Sequence, residues 1–335
     1  MNTTEAIQNR GEVGAVVAAA TAGDESAFTS LTERYRRELQ VHCYRMLGSF
    51  EDSEDLVQET FLRAWRKRDS YQGRSTFRAW LYRIATNACL DALERRPRHL
   101  RSAQGPEVTW LQPYPDRFLE GIATTDAEPD EAVVSKETIE LAFLAAIQHL
   151  PPKQRAVLIV RDVLGWSARD SATLLDASVA SVNSALQRAR ATLKKHLPER
   201  RLEWAPGVDP SEAERALLKR YIEANERADA DAFVAMMRED ARFVMPPDPG
   251  YFVGREAIVA GWMEGGLGTE EFRDWRWLLT KANMQPAVAF YLRRPGESEH
   301  AAFALDVLRI EDGAIGEIVA FPSVVFPAFE LPSKL

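Results

Sequence analysis

The chain has 335 residues, of which 46% are hydrophobic and 27% are charged, a composition typical of a soluble globular protein with two or three domains. It contains no apolar run near the ~20 residues that span a bilayer, and no export-type leader. The sequence therefore indicates neither a membrane protein nor an exported one, and we expect a cytoplasmic location.

The net charge of −8 is unevenly distributed along the chain. Residues 202–335 carry 14 basic and 23 acidic side chains, whereas residues 137–201 carry 10 basic and 6 acidic ones. An overall pI near 5.4 argues against a nucleic-acid partner. Local patches matter more than net charge for a polyanion, however, so the acidity of the last third does not exclude DNA binding by the rest.

The two cysteines, Cys43 and Cys89, lie within helical apolar patterns. This position favours burial as small hydrophobic side chains over a disulfide. The sequence has no C-x-x-C pair and no cluster of histidines, so zinc is poorly supported. We predict no metal and no cofactor.

Apolar residues at three- and four-residue steps predict three helices in residues 1–98. Ser53 is the predicted N-cap of the second helix, whose first turn carries acids where the helix dipole favours them. Pro97 ends the third helix. The three helices cover about 25–47, 53–67 and 76–94.

The second helix carries a row of acids. Asp52, Asp55 and Glu59 are three and four residues apart and so share one face, which Glu54 and Gln58 flank. Paired carboxylates can serve acid–base catalysis or bind a metal, but no histidine and no glycine-rich phosphate loop stands nearby. From spacing alone, a solvated helix face is favoured over a functional site.

Cations and aromatic rings alternate from the end of this helix onward. Cations neutralise phosphates and ring faces stack on unpaired bases, so the pattern predicts a surface for opened DNA. Phe77 and Trp80 also recur at core spacing, and whether they serve only the core stays open. The cations are Arg63, Arg66, Lys67, Arg68, Arg74, Arg78, Arg83, Arg95, Arg96 and Arg98, and the rings are Trp65, Tyr71, Phe77, Trp80 and Tyr82.

Residues 99–135 are a predicted linker, with four prolines, scattered acids and little periodicity. Most of this stretch is expected to be a tether. Residues 110–116, WLQPYPD, are the exception, because Trp110 and Tyr114 are costly to leave in water. We expect this piece to dock on a neighbouring surface.

Residues 136–200 form a second predicted helical unit. Two helices joined by a tight turn at Asp176-Ala177, the second with many exposed polar side chains, make the helix-turn-helix pattern that places a recognition helix in the major groove of DNA. The first predicted helix ends at about residue 150. The three that follow cover about 154–164, 167–175 and 178–196.

Residues 201–335 change from helices to strands along the chain, which predicts an α+β domain. Asp312-Gly313 predicts a hairpin turn between the last two strands. The predicted helices cover 211–227, 230–239 and about 255–264. The predicted strands cover 241–245, 275–282, 287–293, 301–310 and 314–321.

Three stretches resemble the sigma-70 family of RNA polymerase sigma factors. Glu54–Trp65, EDLVQETFLRAW, is similar to the signature by which these factors dock on the clamp helices of the polymerase β′ subunit. Leu150–Leu158 and Ser178–Lys195 resemble sigma domain 4, which binds the −35 element. No sigma region 3 lies between them, a layout typical of the extracytoplasmic-function (ECF) class. Residues 211–335 resemble the SnoaL-like cone-shaped fold, and the whole order is similar to the mycobacterial sigma-G and sigma-J type.

The resemblance implies four sets of site residues. Polymerase binding would use Asp52, Glu54, Asp55, Leu56, Gln58, Glu59, Phe61 and Trp65. Contacts with the −10 element would use Arg63, Lys67, Tyr71, Arg74, Arg78, Trp80, Arg83, Asn87, Arg95 and Arg96. Contacts with the −35 element would use Ser178, Ala180, Ser181, Asn183, Ser184, Gln187, Arg188, Arg190 and Lys194. A ligand pocket of the SnoaL-like fold would use Asp248, Tyr251, Trp262, His300 and Asp306.

We therefore expect a multidomain protein with two all-α sigma domains, 1–98 and 136–200, the linker 99–135, and an α+β SnoaL-like domain, 201–335. It would bind core RNA polymerase at the β′ clamp and β flap, direct it to promoter DNA and help melt the −10 region, without catalysis of its own. The third domain would regulate in cis, by sensing a small molecule or by masking basic surfaces with its acidity. Two alternatives stay open: an isomerase- or cyclase-like enzyme fused to a DNA-binding regulator, and a free-standing helix-turn-helix repressor.

Overall fold

The structure, a computed structural model, describes residues 14–73, 75–95, 111–119, 139–196, 212–246 and 251–335. The chain forms two compact units. The first comprises residues 1–100 and 117–199, and the second comprises residues 101–116 and 200–335. Part of the predicted linker therefore packs with the C-terminal domain.

The first part of the chain forms the predicted helices with shifted boundaries, and the first predicted helix, 25–47, is divided into two helices at residues 34–35. Ser49, rather than Ser53, is the N-cap of the acidic helix, because the Ser49 hydroxyl accepts the N–H of Asp52 at 3.2 Å. Ser53 lies one turn inside the helix and donates to the carbonyl of Phe50 at 2.6 Å. The helix starts earlier because Phe50 is buried and adds to the apolar face. The helices are α1 (Glu25–Glu33), α2 (Arg36–Leu47), α3 (Phe50–Arg66) and α4 (Phe77–Arg95).

A buried ion pair joins α2 to α4. Arg78 is 6% exposed, and its guanidinium nitrogens lie 2.8–3.1 Å from the Glu38 carboxylate. Tyr82 donates to the same carboxylate at 3.3 Å. Charge-assisted hydrogen bonds of this kind compensate a carboxylate for the loss of water. This corrects the expectation that Arg78 faces DNA, since its charge is used inside the fold.

His42 lies beside this pair as a neutral ring. Its Nε2 is 2.9 Å from Thr86 Oγ1, and that hydroxyl donates to the carbonyl of Tyr82 at 2.7 Å, so Nε2 is the donor to Thr86. Burial lowers the pKa of His42 to about 3, and the charges of Arg45 and Arg78 act in the same direction. The ring therefore adds no positive charge beneath α4.

The second helical group carries the predicted helix-turn-helix. A single π-helical turn, Ile159–Val163, continues the helix that precedes it. Asp176 adopts φ 50° in the tight turn, a left-handed conformation that Asp tolerates. The elements are α5 (Leu141–Gln148), α6 (Pro152–Leu158), α7 (Ala168–Leu174) and α8 (Val179–His196).

The two helical groups pack together within the first unit. Arg155 of α6 is buried and donates to the carbonyl of Met46 at the end of α2, and also to the carbonyls of Gln148 and Leu150 at 2.8 and 3.2 Å. Gln148 donates to the carbonyl of Arg45 at 3.2 Å. These contacts supply partners to carbonyls that helix ends leave unsatisfied.

Aromatic contacts extend the same packing. The ring of Tyr82 on α4 lies 5.4 Å from that of Trp166, which precedes α7. The ring of Phe118, beyond the linker segment that packs with the second unit, lies 5.4 Å from that of Phe50 on α3. Pairs at such distances add to the stabilisation that comes from the area they bury.

The second unit is a helical layer on a six-stranded sheet with the order β2-β1-β6-β5-β4-β3. β1 and β6 are parallel, and the other neighbours are antiparallel. The five predicted strands are confirmed. The three-residue strand β2 escaped prediction because all of its side chains are exposed and it lacks alternation. The elements are α9 (Glu212–Arg227), α10 (Ala230–Met236), β1 (Met237–Val244), β2 (Tyr251–Val253), α11 (Arg255–Glu264), β3 (Trp275–Ala282), β4 (Gln285–Leu292), β5 (Ala301–Glu311) and β6 (Ala314–Pro322).

The core of this unit lies between the helices and one face of the sheet, and it is rich in aromatic rings. Tyr221 packs edge-on against Phe233 at 5.7 Å, and Trp262 packs against Phe233 and Phe243 at 5.0 and 5.3 Å. Alternate residues of the central strands, such as Phe290, complete the core. The helix-then-strand pattern thus gives the expected α+β layers.

Two hairpins, β3–β4 and β5–β6, have tight turns with positive φ. The predicted turn at Asp312-Gly313 is confirmed, with φ 51° and 77°. The β3–β4 turn was not predicted, because its residues Asn283 and Met284 have φ 57° and 59° without a glycine to signal it. Tyr114, in the aromatic linker piece, is fully buried. Its N–H donates to the side-chain oxygen of Asn283 in the β3–β4 turn, as expected of a docked segment. Trp110 lies outside the described residues.

One carboxyl is buried in the aromatic core. Asp306 of β5 accepts a hydrogen bond from the Tyr221 hydroxyl at 2.8 Å. Burial raises the pKa of Asp306 to about 7, although the hydrogen bond from Tyr221 opposes the shift. Among the bonds described, a charged Asp306 has one partner, the neutral Tyr221 hydroxyl. One neutral hydrogen bond does not compensate a buried charge, so protonation of Asp306 favours the folded state.

We expect Arg78→Ala to lower the free energy of unfolding by about 3–5 kcal/mol, because it leaves the Glu38 carboxylate buried without its counter-ion. Urea unfolding measures the loss. The matched control is Arg83→Ala, further along α4 and exposed, which should stay within about 0.5 kcal/mol of the parent. Equal losses in the two variants would contradict a structural role for the buried pair.

We expect Asp306→Asn to remove a pH dependence of stability. The folded-state pKa of about 7 lies above the ordinary value of 3.8, so the parent protein loses stability as pH rises from about 4 to 7, by on the order of 4 kcal/mol. The asparagine side chain cannot titrate, so the difference in unfolding free energy between parent and variant should change with pH over this interval. A constant difference from pH 4 to 8 in urea unfolding would refute the assignment.

Candidate polymerase-binding and DNA-binding surfaces

The acidic face of α3, defined here as Asp52, Glu54, Asp55, Gln58 and Glu59, lies mostly in solvent. Glu54, Asp55 and Gln58 are exposed, and Asp52 and Glu59 are half-buried. Partial desolvation raises the pKa of Glu54, and the neighbouring charge of Asp55 adds to the effect. Two carboxylates that repel each other are stabilised by an incoming cation, so this face suits a basic partner.

The apolar residues predicted to bind the partner lie beside this face rather than in it. Leu56, Phe61 and Trp65 are half-buried. The guanidinium of Arg36 covers the Phe61 ring at 5.1 Å, and Trp65 packs edge-on against Phe28 at 5.1 Å. These rings therefore serve the fold of the first unit as well as its surface.

Sequence reasoning missed Leu62. It is 52% exposed and follows Gln58 by one helical turn, so it extends the acidic face with an apolar side chain. The signal in the sequence was a leucine at a position where the helical period calls for a polar residue. An exposed apolar group flanked by acids is typical of a protein-binding surface.

An aromatic cluster follows the acidic helix. The rings of Tyr71, Phe77 and Trp80 lie 5.3–5.6 Å from one another. Phe77 is buried, whereas Tyr71 and Trp80 are half-buried at the rim of the cluster. The Tyr71 hydroxyl donates to the carbonyl of Ser75 at 2.9 Å. Phe77 is thus a core residue, while Trp80 keeps part of its ring at the surface.

The outer face of α4 presents polar side chains next to this rim. Arg83 and Asn87 are exposed, and with Trp80 they share one helical face. Lys67 and Arg95 are also exposed. Arg74 and Arg96, predicted at the same surface, lie outside the residues whose side chains are described.

Arg63 is held by two carboxylates. Its guanidinium lies 2.8 Å from Glu59 on the same helix and 2.7 Å from Asp91 on α4. Both bonds raise the pKa of Arg63. A phosphate would have to compete with these partners, so Arg63 fits the expected DNA contact less well than Arg83. Arg78 does not fit it at all, because it is paired with Glu38 inside the fold.

The second helix of the helix-turn-helix, α8, and Ser178 just before it expose every residue predicted to contact the −35 element. Ser178 precedes its first turn and accepts the N–H of Ser181 at 3.1 Å. Arg188 is oriented by Ser184 at 2.7 Å, and Arg190 forms a two-bonded pair with Asp162 at 2.6 and 2.8 Å. The opposite face of α8 is buried through Val182, Ala185, Leu186 and Ala189.

The four candidate pocket residues that the structure describes do not all converge. Asp306 and Trp262 belong to the same aromatic core, but Tyr251 is exposed on the edge strand β2. His300 bonds to Asp274 at 2.9 Å and pairs through its backbone with Leu335. The bond from His300, followed by that from Arg293, lowers the pKa of Asp274. Asp248 lies outside the described residues.

Metal-binding and membrane-spanning features are absent from the part of the chain that the structure describes. It contains no group of three or more His, Cys, Asp or Glu side chains placed to hold a metal ion. No described helix is both long enough and apolar enough to cross a membrane.

Comparison with protein families assigns all three folded parts of the chain. Residues 31–99 match Sigma-70 region 2, residues 140–193 match Sigma-70 region 4, and residues 218–318 match the SnoaL-like domain. The two helical groups and the α+β unit therefore correspond to three known families in this order.

Two of the known proteins described here align with almost the whole chain, and a third aligns with about half of it. The ECF RNA polymerase sigma factor SigG of Mycobacterium tuberculosis is 42% identical over 323 residues, which cover 92% of this chain and 85% of SigG. SigW of Bacillus subtilis, also an ECF sigma factor, is 32% identical over 176 residues, or 52% of this chain and 91% of SigW. The crystal structure of the M. tuberculosis ECF sigma factor SigJ has the same fold, with a TM-score of 0.61 and 21% identity over 91% of this chain and 99% of SigJ. The chain belongs to the ECF class of sigma-70-family RNA polymerase sigma factors and carries a C-terminal SnoaL-like domain.

Proposed function

We propose that this sigma factor binds core RNA polymerase through the acidic face of α3 together with Leu62. The single observation that carries the proposal is an exposed strip of carboxylates with one exposed leucine on a helix of the sigma-70 region 2 match. The partner that fits is a basic helical surface, which the resemblance identifies as the β′ clamp. The region 4 match would bind the β flap in the same complex.

We expect Asp55→Arg to weaken binding to core polymerase at least about tenfold, because it places a cation against a basic partner. Asp55 is exposed, so the fold should survive. Glu94→Arg, an exposed charge reversal near the end of α4, is the matched control and should bind as the parent does. Titration of labelled protein with core polymerase gives the affinities, and equal affinity of the two variants would argue against this surface.

We propose that promoter DNA meets two surfaces of the first unit. The rim of Tyr71 and Trp80 with Arg83 and Asn87 on α4 would hold the opened −10 strand, through base stacking and phosphate contacts. The exposed face of α8 would lie in the major groove at the −35 element, with Ser, Asn and Gln side chains at base edges and cations such as Arg188 at phosphates. The exposure of both faces supports the assignment.

We propose that the SnoaL-like domain regulates the sigma domains in cis and is not itself required for transcription. Its stretch of the chain, residues 202–335, carries a net charge of 14 − 23 = −9, which can compete with DNA for basic surfaces. SigW supports the proposal that the SnoaL-like domain is not required for transcription, because 91% of the length of SigW aligns with about half of this chain. The aligned part of this chain thus has the extent of a nearly whole sigma factor.

We expect removal of residues 201–335 to raise run-off transcription when the protein is limiting, because it removes the competing acidic domain. Added salt should narrow the difference between the full chain and the truncated protein, since screening weakens exposed charges. Circular dichroism of the truncated protein checks that its helices persist. Equal transcription by the two proteins at every salt concentration would rule out regulation by this domain.

A second candidate function is small-molecule binding or turnover by the SnoaL-like domain. Asp306, with its pKa raised by burial, and Tyr221 together place two hydroxyl-bearing groups in an aromatic core. When protonated, Asp306 can donate one hydrogen bond to the oxygen of an apolar carbonyl compound, while the Tyr221 hydroxyl donates to Asp306. Thermal-shift screening of such compounds against the full chain, with Asp306→Asn as the comparison, tests this candidate.

A further inference from the structure

The start of α8 carries no cation. Residues 178–187 read SVASVNSALQ, and the nearest arginines are Arg169 before this stretch and Arg188 directly after it. In a helix-turn-helix, the N-terminal residues of the second helix are the ones that contact base edges in the major groove. Arginine and lysine are the side chains that most often pair with guanine there, through its O6 and N7 atoms. The part of α8 placed to read bases therefore lacks the usual reader of guanine.

One strip of this helix is exposed and uncharged. Val179, Asn183 and Gln187 are four residues apart, so they lie one above another on the same face, and Ala180 lies beside them. All four side chains are exposed, Val179 at 43%. The opposite side of α8 is buried. We define these four residues as the reading strip, since it is the strip that a DNA groove would meet.

The two amides of the reading strip are available to a partner. Among the side-chain hydrogen bonds that the structure describes, none is made by Asn183 or Gln187. Each amide group holds a donor and an acceptor side by side, which match the N7 and N6 atoms of adenine. An exposed amide can form this bidentate pair without first breaking a bond within the protein. Both positions are therefore suited to adenine.

The apolar members of the reading strip fit the other base of the same pair. Val179 and Ala180 present only aliphatic carbon at the start of the helix. Thymine carries a C5-methyl group in the major groove, where it contacts apolar side chains, whereas cytosine presents an amino group there. The strip as a whole thus matches A·T pairs.

The first cations beyond the strip are held by other side chains. Arg190 lies one turn beyond Gln187, and its Nε and Nη2 atoms donate to Asp162 at 2.8 and 2.6 Å. Two such nitrogens are what a bidentate pair with guanine requires. Arg188 donates to Ser184 at 2.7 Å. A guanine would have to displace these partners, whereas a phosphate can accept from the remaining nitrogens of either arginine.

We propose that Asn183 and Gln187 specify two A·T base pairs of the −35 element through bidentate hydrogen bonds to adenine, with Val179 and Ala180 against thymine methyl groups. The inference deepens the binding of α8 at the −35 element proposed above and rests on it. Four residues advance an α-helix by about 6 Å, and base pairs follow one another at about 3.4 Å. The two A·T pairs are therefore one or two steps apart.

The test is selection from a library of random DNA duplexes by the holoenzyme, formed from the full chain and core RNA polymerase, followed by sequencing. The upstream block of enriched sequence is the −35 element. We expect the parent to enrich two A·T pairs there, one or two steps apart, and to bind about fivefold or more weakly when either is replaced by G·C. Enrichment of G·C at every selected position of this block would overturn the inference.

Asn183→Arg and Gln187→Arg exchange the reader at each position. Both side chains are exposed, so α8 should keep its packing, which circular dichroism checks. We expect Asn183→Arg to change one of the two selected A·T pairs to G·C, and Gln187→Arg to change the other, because arginine pairs with O6 and N7 of guanine. An unchanged selected sequence in both variants would show that these residues do not read the bases.

Arg188→Ala is the comparison, because it removes an expected phosphate contact. It should weaken binding to all duplexes by a similar factor and leave the selected bases unchanged, since phosphate contacts carry no sequence information. If it does so while both arginine substitutions leave the selected bases unchanged, α8 binds DNA and the assignment of the reading strip is wrong. If none of the three substitutions alters affinity or selected bases, the proposed binding of α8 at the −35 element is itself wrong.

Discussion

The buried guanidinium of Arg155 is the interaction on which the arrangement of the first unit depends. Helix ends leave carbonyl groups without partners, and burial makes an unpaired carbonyl costly. Arg155 donates to carbonyls at the end of α2 and at and beyond the end of α5, so one side chain satisfies helix termini from both sigma regions. Packing of region 2 on region 4 thus depends on completed backbone hydrogen bonds as well as on apolar area.

The arginines of this chain divide into those that hold the fold and those that are exposed to a partner, and their environment decides the difference. Arg78 and Arg155 are buried against a carboxylate and carbonyls, whereas Arg83 and Arg188 are exposed on helices that face outward. Arg309 in the sheet is another buried one, with Glu317 at 3.3 Å. A guanidinium can satisfy several acceptors in a plane, which is why it serves both purposes.

Most of the fold could be predicted from the sequence because periodicity reports burial. The helices of both sigma regions and five of six strands follow from apolar spacing, and Asp312-Gly313 follows from turn chemistry. What escaped depends on neighbours distant in the chain. Arg78 lies in a run of apparently exposed cations, and its partner Glu38 lies 40 residues away. The Asn283-Met284 turn carries no glycine because contacts with the linker segment, not local preference, stabilise it.

The candidate surfaces could also be predicted to different degrees, because some are formed by one helix and others by residues distant in the chain. An amphipathic helix shows its exposed face through the period of its buried residues, so the exposed positions of α8 could be predicted. A cone-shaped pocket is assembled from several strands, and of the four candidates that the structure describes, Asp306 and Trp262 belong to the core. Leu62 was missed because its signal is a single leucine at a polar position of the helical period rather than a repeated pattern.

The contact between Tyr114 and Asn283 spans 169 residues of sequence, and this distance has a consequence during synthesis. Regions 2 and 4 leave the ribosome before the β3–β4 turn exists. At about 5–20 residues per second, the chain needs roughly 8–34 s to grow from one partner to the other. The linker of every new molecule is therefore undocked for a period that depends on the rate of translation, and a slower ribosome lengthens that period.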